Sequence, residues 1–174
     1  ALYLLCNILA KKGAEVVGFL PTFTDMVEYS RMMAMRYVGI PARREENWRM
    51  EVSDLVDAIS GDTSLVYIDR PNNPTGQLAS PGLVEKLLRR CEACGAILAV
   101  DECFLDFLPD ADRWTAKPLL ESGSLVIFKA FTKLYGMAGV RLGYCLSADA
   151  ALLEKMRNAG QPWAVSSLAQ AAGV

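Results

Sequence analysis

The chain has 174 residues, 18 Lys+Arg against 20 Asp+Glu, a formal net charge of −2, 52% apolar residues and no histidine. The absence of histidine excludes catalytic triads built on His, and it removes the commonest ligand of zinc and haem sites. The near-neutral balance argues against nucleic acid as a main partner, because phosphate binding needs a clustered positive excess.

The length suits one domain or a little more. Residues 1–12 show helical apolar spacing through Leu2, Leu5, Ile8 and Leu9, and the pattern stops at Gly13. The opening run ALYLLCNILA is far short of the roughly 20 residues that cross a bilayer, and no basic segment precedes it. No membrane partner is expected. The first residue is Ala1, so further residues upstream are expected.

Ala14–Leu20 reads as a buried strand closed by Pro21. Asp25 is the expected N-cap of a helix through about Tyr37, with a methionine stripe (Met26, Met32, Met33, Met35) suited to core or a subunit face. Gly39–Pro41 is expected to break that helix, and the run Ala42–Asn47 to form a solvated connection. Ser53–Ile59 reads as a short helix capped by its serine. Ser64–Asp69 is a strand followed at once by Arg70 and PNNPTG. Ser80–Ala93 is a helix with Pro81 at its first position. Ala96–Asp101 and Ser124–Lys129 are apolar strands, and Gly143–Leu146 is a further short one. Ala150–Asn158 and Ala164–Ala172 read as helices. Short apolar strands alternating with helices predict an α/β fold, a mainly parallel sheet with helices on both faces.

The five cysteines (Cys6, Cys91, Cys94, Cys103, Cys145) are an odd count. Most sit in apolar runs, as small buried side chains do in a reducing, cytoplasmic setting. Cys91 and Cys94 form a CxxC that has either a redox or metal role, or is the last turn of a helix before a Gly95 cap. The second reading is preferred, since no second ligand pair follows. No metal site is expected.

In open α/β sheets ligands bind beyond the carboxyl ends of the strands. Those ends carry Phe23, Asn73, Asp101, Thr132, Lys133 and Arg141. Each alone has a plain reading: turn residue, helix cap, core aromatic or surface cation. Together they supply an amine for an aldehyde, an anion for a pyridinium nitrogen and an amide donor for a phenolate. They also supply a flat aromatic face, and a hydroxyl and guanidinium for a phosphate. That set suits pyridoxal 5′-phosphate, held through a lysine.

The motifs PNNPTG (71–76), VDECFLDF (100–107) and FTKLYGMAGVRLGY (131–144), in this order, resemble the class I/II pyridoxal-phosphate-dependent aminotransferases of fold type I. Within that family the chain is most similar to the histidinol-phosphate aminotransferases and threonine-phosphate decarboxylases. The resemblance implies that residues 1–174 are a partial cofactor-binding large domain, lacking an N-terminal segment and a small C-terminal domain. It implies Lys133 as Schiff-base lysine and proton shuttle, and Asp101 as partner of the ring nitrogen. Asn73 would serve the phenolate oxygen and Phe23 would stack on the ring. Thr132 and Arg141 would clamp the phosphate. It further implies a small-molecule amino acid substrate, transamination with decarboxylation of a phosphorylated amino acid as the alternative, a homodimer, and a cis Asn73–Pro74 bond. A non-catalytic domain that kept the fold is the rival outside this chemistry. Three positions depart from the family pattern: Phe104 stands where tyrosine is common, Ala130 where Ser or Thr is usual, and Arg70 where Asn is often seen.

Overall fold

The structure, a computed structural model, describes residues 1–11 and 13–174. Six strands form one sheet in the order β2-β1-β3-β4-β5-β6. They are β1 (Glu15–Leu20), β2 (Arg36–Pro41), β3 (Thr63–Asp69), β4 (Ile97–Asp101), β5 (Leu125–Ala130) and β6 (Gly143–Leu146). The first five run parallel, and β6 closes the edge antiparallel to β5. The helices are α1 (Leu2–Leu9), α2 (Thr24–Met32), α3 (Val52–Ala58), α4 (Pro81–Cys94), α5 (Ala150–Ala159) and α6 (Ser167–Ala172).

Two-residue alternation along each strand sends side chains to opposite faces. Val17, Phe19, Val66, Ile68, Leu98, Val100, Leu125 and Ile127 pack with Leu55 of α3 and Leu83, Leu87 and Cys91 of α4. Val16, Leu65, Tyr67, Ala99, Val126 and Phe128 pack on the other face with Leu5 and Cys6 of α1, Met26 of α2, and Leu152 and Met156 of α5. All seven residues of β3 are buried, as expected of a central parallel strand. Gly18 in β1 permits the close β1–β3 approach: a Cβ there would stand 2.8 Å from the Tyr67 carbonyl oxygen.

The α4 boundaries follow local chemistry. The Ser80 hydroxyl accepts from Leu83 N at 3.3 Å, Pro81 occupies the first turn, and Gly95 ends the helix at φ 70°. Cys91 and Cys94 therefore lie in the last turn of α4, and all five cysteines are free.

Several expected boundaries are corrected. The helix expected over residues 1–12 is Leu2–Leu9, and Lys12 lies outside the described residues. Helix α2 ends at Met32 rather than near Tyr37, and residues 36–41 form β2, paired in parallel with β1. The stop is made by Ala34 in the left-handed region at φ 53°, with no glycine to announce it. Asp25 is not the N-cap: Phe23 holds that position, and Asp25 sits in the first turn accepting from the Tyr29 hydroxyl at 3.2 Å. Ser53 likewise lies inside α3, whose N-cap is Glu51. The last helix starts at Ser167, capped by Ser166, not at Ala164. The Asn73–Pro74 bond is cis, as are Leu20–Pro21 and Arg70–Pro71. In the methionine stripe, Met26 and Met35 are core while Met32 is exposed.

Candidate active site

From β1 the chain steps outward to β2, whereas from β3 it runs the other way to β4 and β5. The direction reverses between β1 and β3, and crevices open at the carboxyl ends of strands at such a reversal. A pocket of about 210 Å³ lies there. Phe23, Asn73, Asp101, Thr132, Lys133 and Arg141 all line it, so the structure brings the six residues singled out in the sequence to one cavity. Phe104 and Ala130, two of the departures from the family pattern, line it as well.

Asp101 ends β4. One carboxylate oxygen accepts from Cys103 N at 2.9 Å, and the other from the Tyr67 hydroxyl at 3.2 Å. Burial, then the nearby Asp101 and Asp69 carboxylates, pushes the Tyr67 phenol far above its ordinary range, so it stays a donor. Each Asp101 oxygen thus has one fixed donor and capacity for another.

Lys133 follows β5 by a short turn, Gly136 N donating to its carbonyl at 3.0 Å. Its ammonium stands 4.9 Å from the centroid of the Phe104 ring, a cation–π distance. Among the described residues no carboxylate forms an ion pair with it; the buried Glu102 and the half-buried Asp106 are taken by Lys129 instead. Arg141 sits at φ 58°, and its guanidinium donates to the Ala138 carbonyl at 3.1 Å. Phe104 offers a ring face where a tyrosine would offer a hydroxyl, and Ala130 offers a methyl where Ser or Thr would offer one.

Around the pocket lie further charged groups, of which the sequence reading singled out only Arg70. Asp69, at the end of β3, is 6% exposed and lines the pocket. Its oxygens accept from Thr22 Oγ1 at 3.3 Å, Asn72 Nδ2 at 2.7 Å, Phe23 N at 3.3 Å and Asn73 N at 2.8 Å. Burial raises its pKa, opposed by the hydrogen bonds and aided by the Asp101 charge. The one available signal was an acid closing the otherwise apolar run SLVYI.

Glu102 is fully buried and accepts from Ala116 N at 2.6 Å and the Thr115 hydroxyl at 2.8 Å. Lys129 bridges it, at 3.4 Å, to Asp106 at 2.7 Å. Burial alone would lower the Lys129 pKa, but its bond to Asp106 and the Glu102 charge outweigh burial and raise it. Arg70 is also fully buried. Its Nε donates to the Ala79 carbonyl at 2.7 Å, its Nη atoms have no hydrogen-bond partner among the described residues, and its guanidinium lies 6.0 Å from the Trp114 ring centroid.

The donor set matches pyridoxal 5′-phosphate group for group: an acceptor at Asp101, an amide at Asn73, a ring at Phe23 and an amine at Lys133 without a carboxylate partner. Thr132 and Arg141 add a hydroxyl and a guanidinium. The residues present fit that cofactor.

The sequence profile of the family described as aminotransferase class I and II matches residues 1–174. Over 173 residues the chain is 35% identical to the histidinol-phosphate aminotransferase of Methanosarcina barkeri, covering 98% of this chain and 44% of that protein. It is 31% identical over 149 residues to the threonine-phosphate decarboxylase of Salmonella typhimurium, covering 84% and 40%. Among solved structures, the histidinol-phosphate aminotransferase of Clostridium acetobutylicum superposes with a TM-score of 0.87 at 22% identity, covering 98% of this chain and 49% of that one. That likeness shows the shared α/β fold, and the chain spans less than half the length of the curated relatives it matches. With the family profile spanning all 174 residues, the chain belongs to the class I and II aminotransferases.

Proposed function

We propose that this chain is the cofactor-binding portion of a pyridoxal-phosphate-dependent enzyme that moves the amino group of a small-molecule amino acid, or of a phosphorylated one, to a 2-oxo acid. One observation carries the reading: Lys133, Asp101, Asn73, Phe23, Thr132 and Arg141 come from four different strand ends and line a single pocket.

When bound, the cofactor supplies an aldehyde for covalent capture of an amine and a ring that accepts electrons. The chain's residues do the rest. Asp101, held by Tyr67 and Cys103, presents a fixed negative charge that favours a protonated nitrogen opposite it. Lys133 carries the amine that holds the aldehyde and, once released, takes and returns a proton at Nζ. Phe104 keeps one side of that amine apolar. Asn73 would supply an amide N–H to the phenolate oxygen, and Phe23 would give the ring a flat apolar neighbour. Arg141 and Thr132 orient the phosphate, for which a guanidinium fork is well shaped. A homodimer in the cytoplasm is part of the same proposal.

The test is covalent. Protein mixed with pyridoxal 5′-phosphate and reduced with borohydride should carry the label on Lys133 in a peptide map, and Lys133→Ala should carry none. Label spread over surface lysines in both proteins would refute the reading and favour a domain that kept the fold without the chemistry. Decarboxylation is the second reading, favoured by the 31% identity to a threonine-phosphate decarboxylase. Measuring keto acid against CO₂ from threonine phosphate with the full-length protein separates the two.

A further inference from the structure

We propose that Asp69 is a positioning residue of this site: its buried carboxylate fixes the Phe23 and Asn73 backbones to a single point, and so fixes one against the other. This rests on the reading of the pocket as a pyridoxal-phosphate site.

Four donors converge on the two oxygens of Asp69. Thr22 Oγ1 and Phe23 N come from the turn after β1, and Asn72 Nδ2 and Asn73 N from the turn after β3. In sequence the two turns are 46 and 47 residues from and 3 and 4 residues from Asp69, respectively. Strands β1 and β3 are neighbours, and the pocket opens where they end. A further bond, from Asn72 Nδ2 to the Pro21 carbonyl at 3.2 Å, ties the same turns together.

The side-chain type matters. A carboxylate is acceptor-only, with room for about four hydrogen bonds. An asparagine of the same shape would turn its NH₂ toward donors and leave buried N–H groups unpaired, which is more costly than a hydrogen bond never made. Bonds from backbone N–H to an ionised group are also the stronger kind. Two of the four donors are the backbone amides of the residues assigned to the cofactor ring and its phenolate oxygen. Asp69 thus acts through Phe23 and Asn73.

Several titratable groups face Asp69. Asp101 ends the adjacent strand in register with it, and Tyr67 and Tyr37 approach from β3 and β2. Asp25, Lys133 and Arg141 line the same pocket. Burial, helped by the Asp101 charge and opposed by the hydrogen bonds the carboxylate accepts, raises the Asp69 pKa from its ordinary value.

The experiment has two arms. In the cofactor-free full chain, the backbone amide NMR signals of Phe23 and Asn73 are followed from acid to neutral pH. The expected result is one shared midpoint, raised from the ordinary aspartate value, that disappears in Asp69→Asn and persists in Asp101→Asn. Separate midpoints for the two amides, or a shared one that survives Asp69→Asn, would overturn the proposal. In the second arm, pyridoxal 5′-phosphate is titrated by absorbance and induced circular dichroism. Asp69→Asn should weaken binding by about tenfold or more, the scale of a lost hydrogen bond to a charged group, and change the induced signal. A folded Asp69→Asn that binds the cofactor as wild type does overturns the proposal. If Asp69→Asn does not fold, the wild-type amide titration decides alone. That arm uses no cofactor, so its outcome is independent of whether the pocket binds pyridoxal 5′-phosphate.

Discussion

The pocket has a floor and a wall that are built differently. The floor, at the ends of β1, β3 and β4, is buried and tied by contacts between segments far apart in sequence. Asp69 reaches Phe23 across 46 residues, and the Tyr67 hydroxyl reaches Asp101 across 34. The wall, residues 131–142 between β5 and β6, is held mostly by near neighbours. Gly136 N bonds the Lys133 carbonyl, Val140 N the Met137 carbonyl, and the Arg141 guanidinium the Ala138 carbonyl. Two of its residues, Gly136 at φ 65° and Arg141 at φ 58°, turn the chain through the left-handed region. Lys133 and Arg141 are exposed on it. The fold imposes the floor, while local sequence shapes the wall that carries Lys133.

Lys133→Ala breaks the comparison most completely, because it removes the amine proposed to hold the cofactor without touching the floor. Borohydride labelling should vanish, while thermal unfolding should match wild type, as expected of an exposed side chain. Leu98→Ala does the reverse. It empties part of the core beneath the floor and should cost about 2–5 kcal/mol, read as a lower urea midpoint with an unchanged m-value.

A pH effect comes next. Burial pushes the Cys6 and Cys91 thiols up to about 12, and each packs beneath one face of the sheet. An unfolded thiol ionises near about 8.5. The native state keeps its proton longer, so this contribution is complete below that value and is lost as pH rises toward about 12. Urea midpoints measured across that window should fall, and Cys91→Ala should flatten the slope. Ser80→Ala, which removes the α4 cap, should cost about 1 kcal/mol by the same unfolding measurement. The smallest effect belongs to the wall: Tyr135→Ala, at a residue 58% exposed, should lie within about 0.5 kcal/mol of wild type.

What could be read from the sequence divides along the same line. Lys133 and Arg141 stand out in one continuous stretch, and five of the six strands are visible as apolar runs. Strand β2 is hidden because its approach is a left-handed alanine rather than a glycine, and because RYVGIP lacks a two-residue alternation. Asp69 is hidden because nothing near it in sequence shows that Phe23 donates to it. Asp25 misleads in the opposite way: a capping residue type stands two positions inside the helix boundary and bonds Tyr29 instead.

Arg70 bears on how such a chain can change over time. Its sealed guanidinium is offset by the field of Glu102 and the face of Trp114, drawn from two other segments. Replacing Arg70 by a neutral residue removes the cation but leaves Glu102 with less compensation. Arg70, Glu102 and Trp114 thus form one buried cluster drawn from three segments, and a change at one alters the surroundings of the other two.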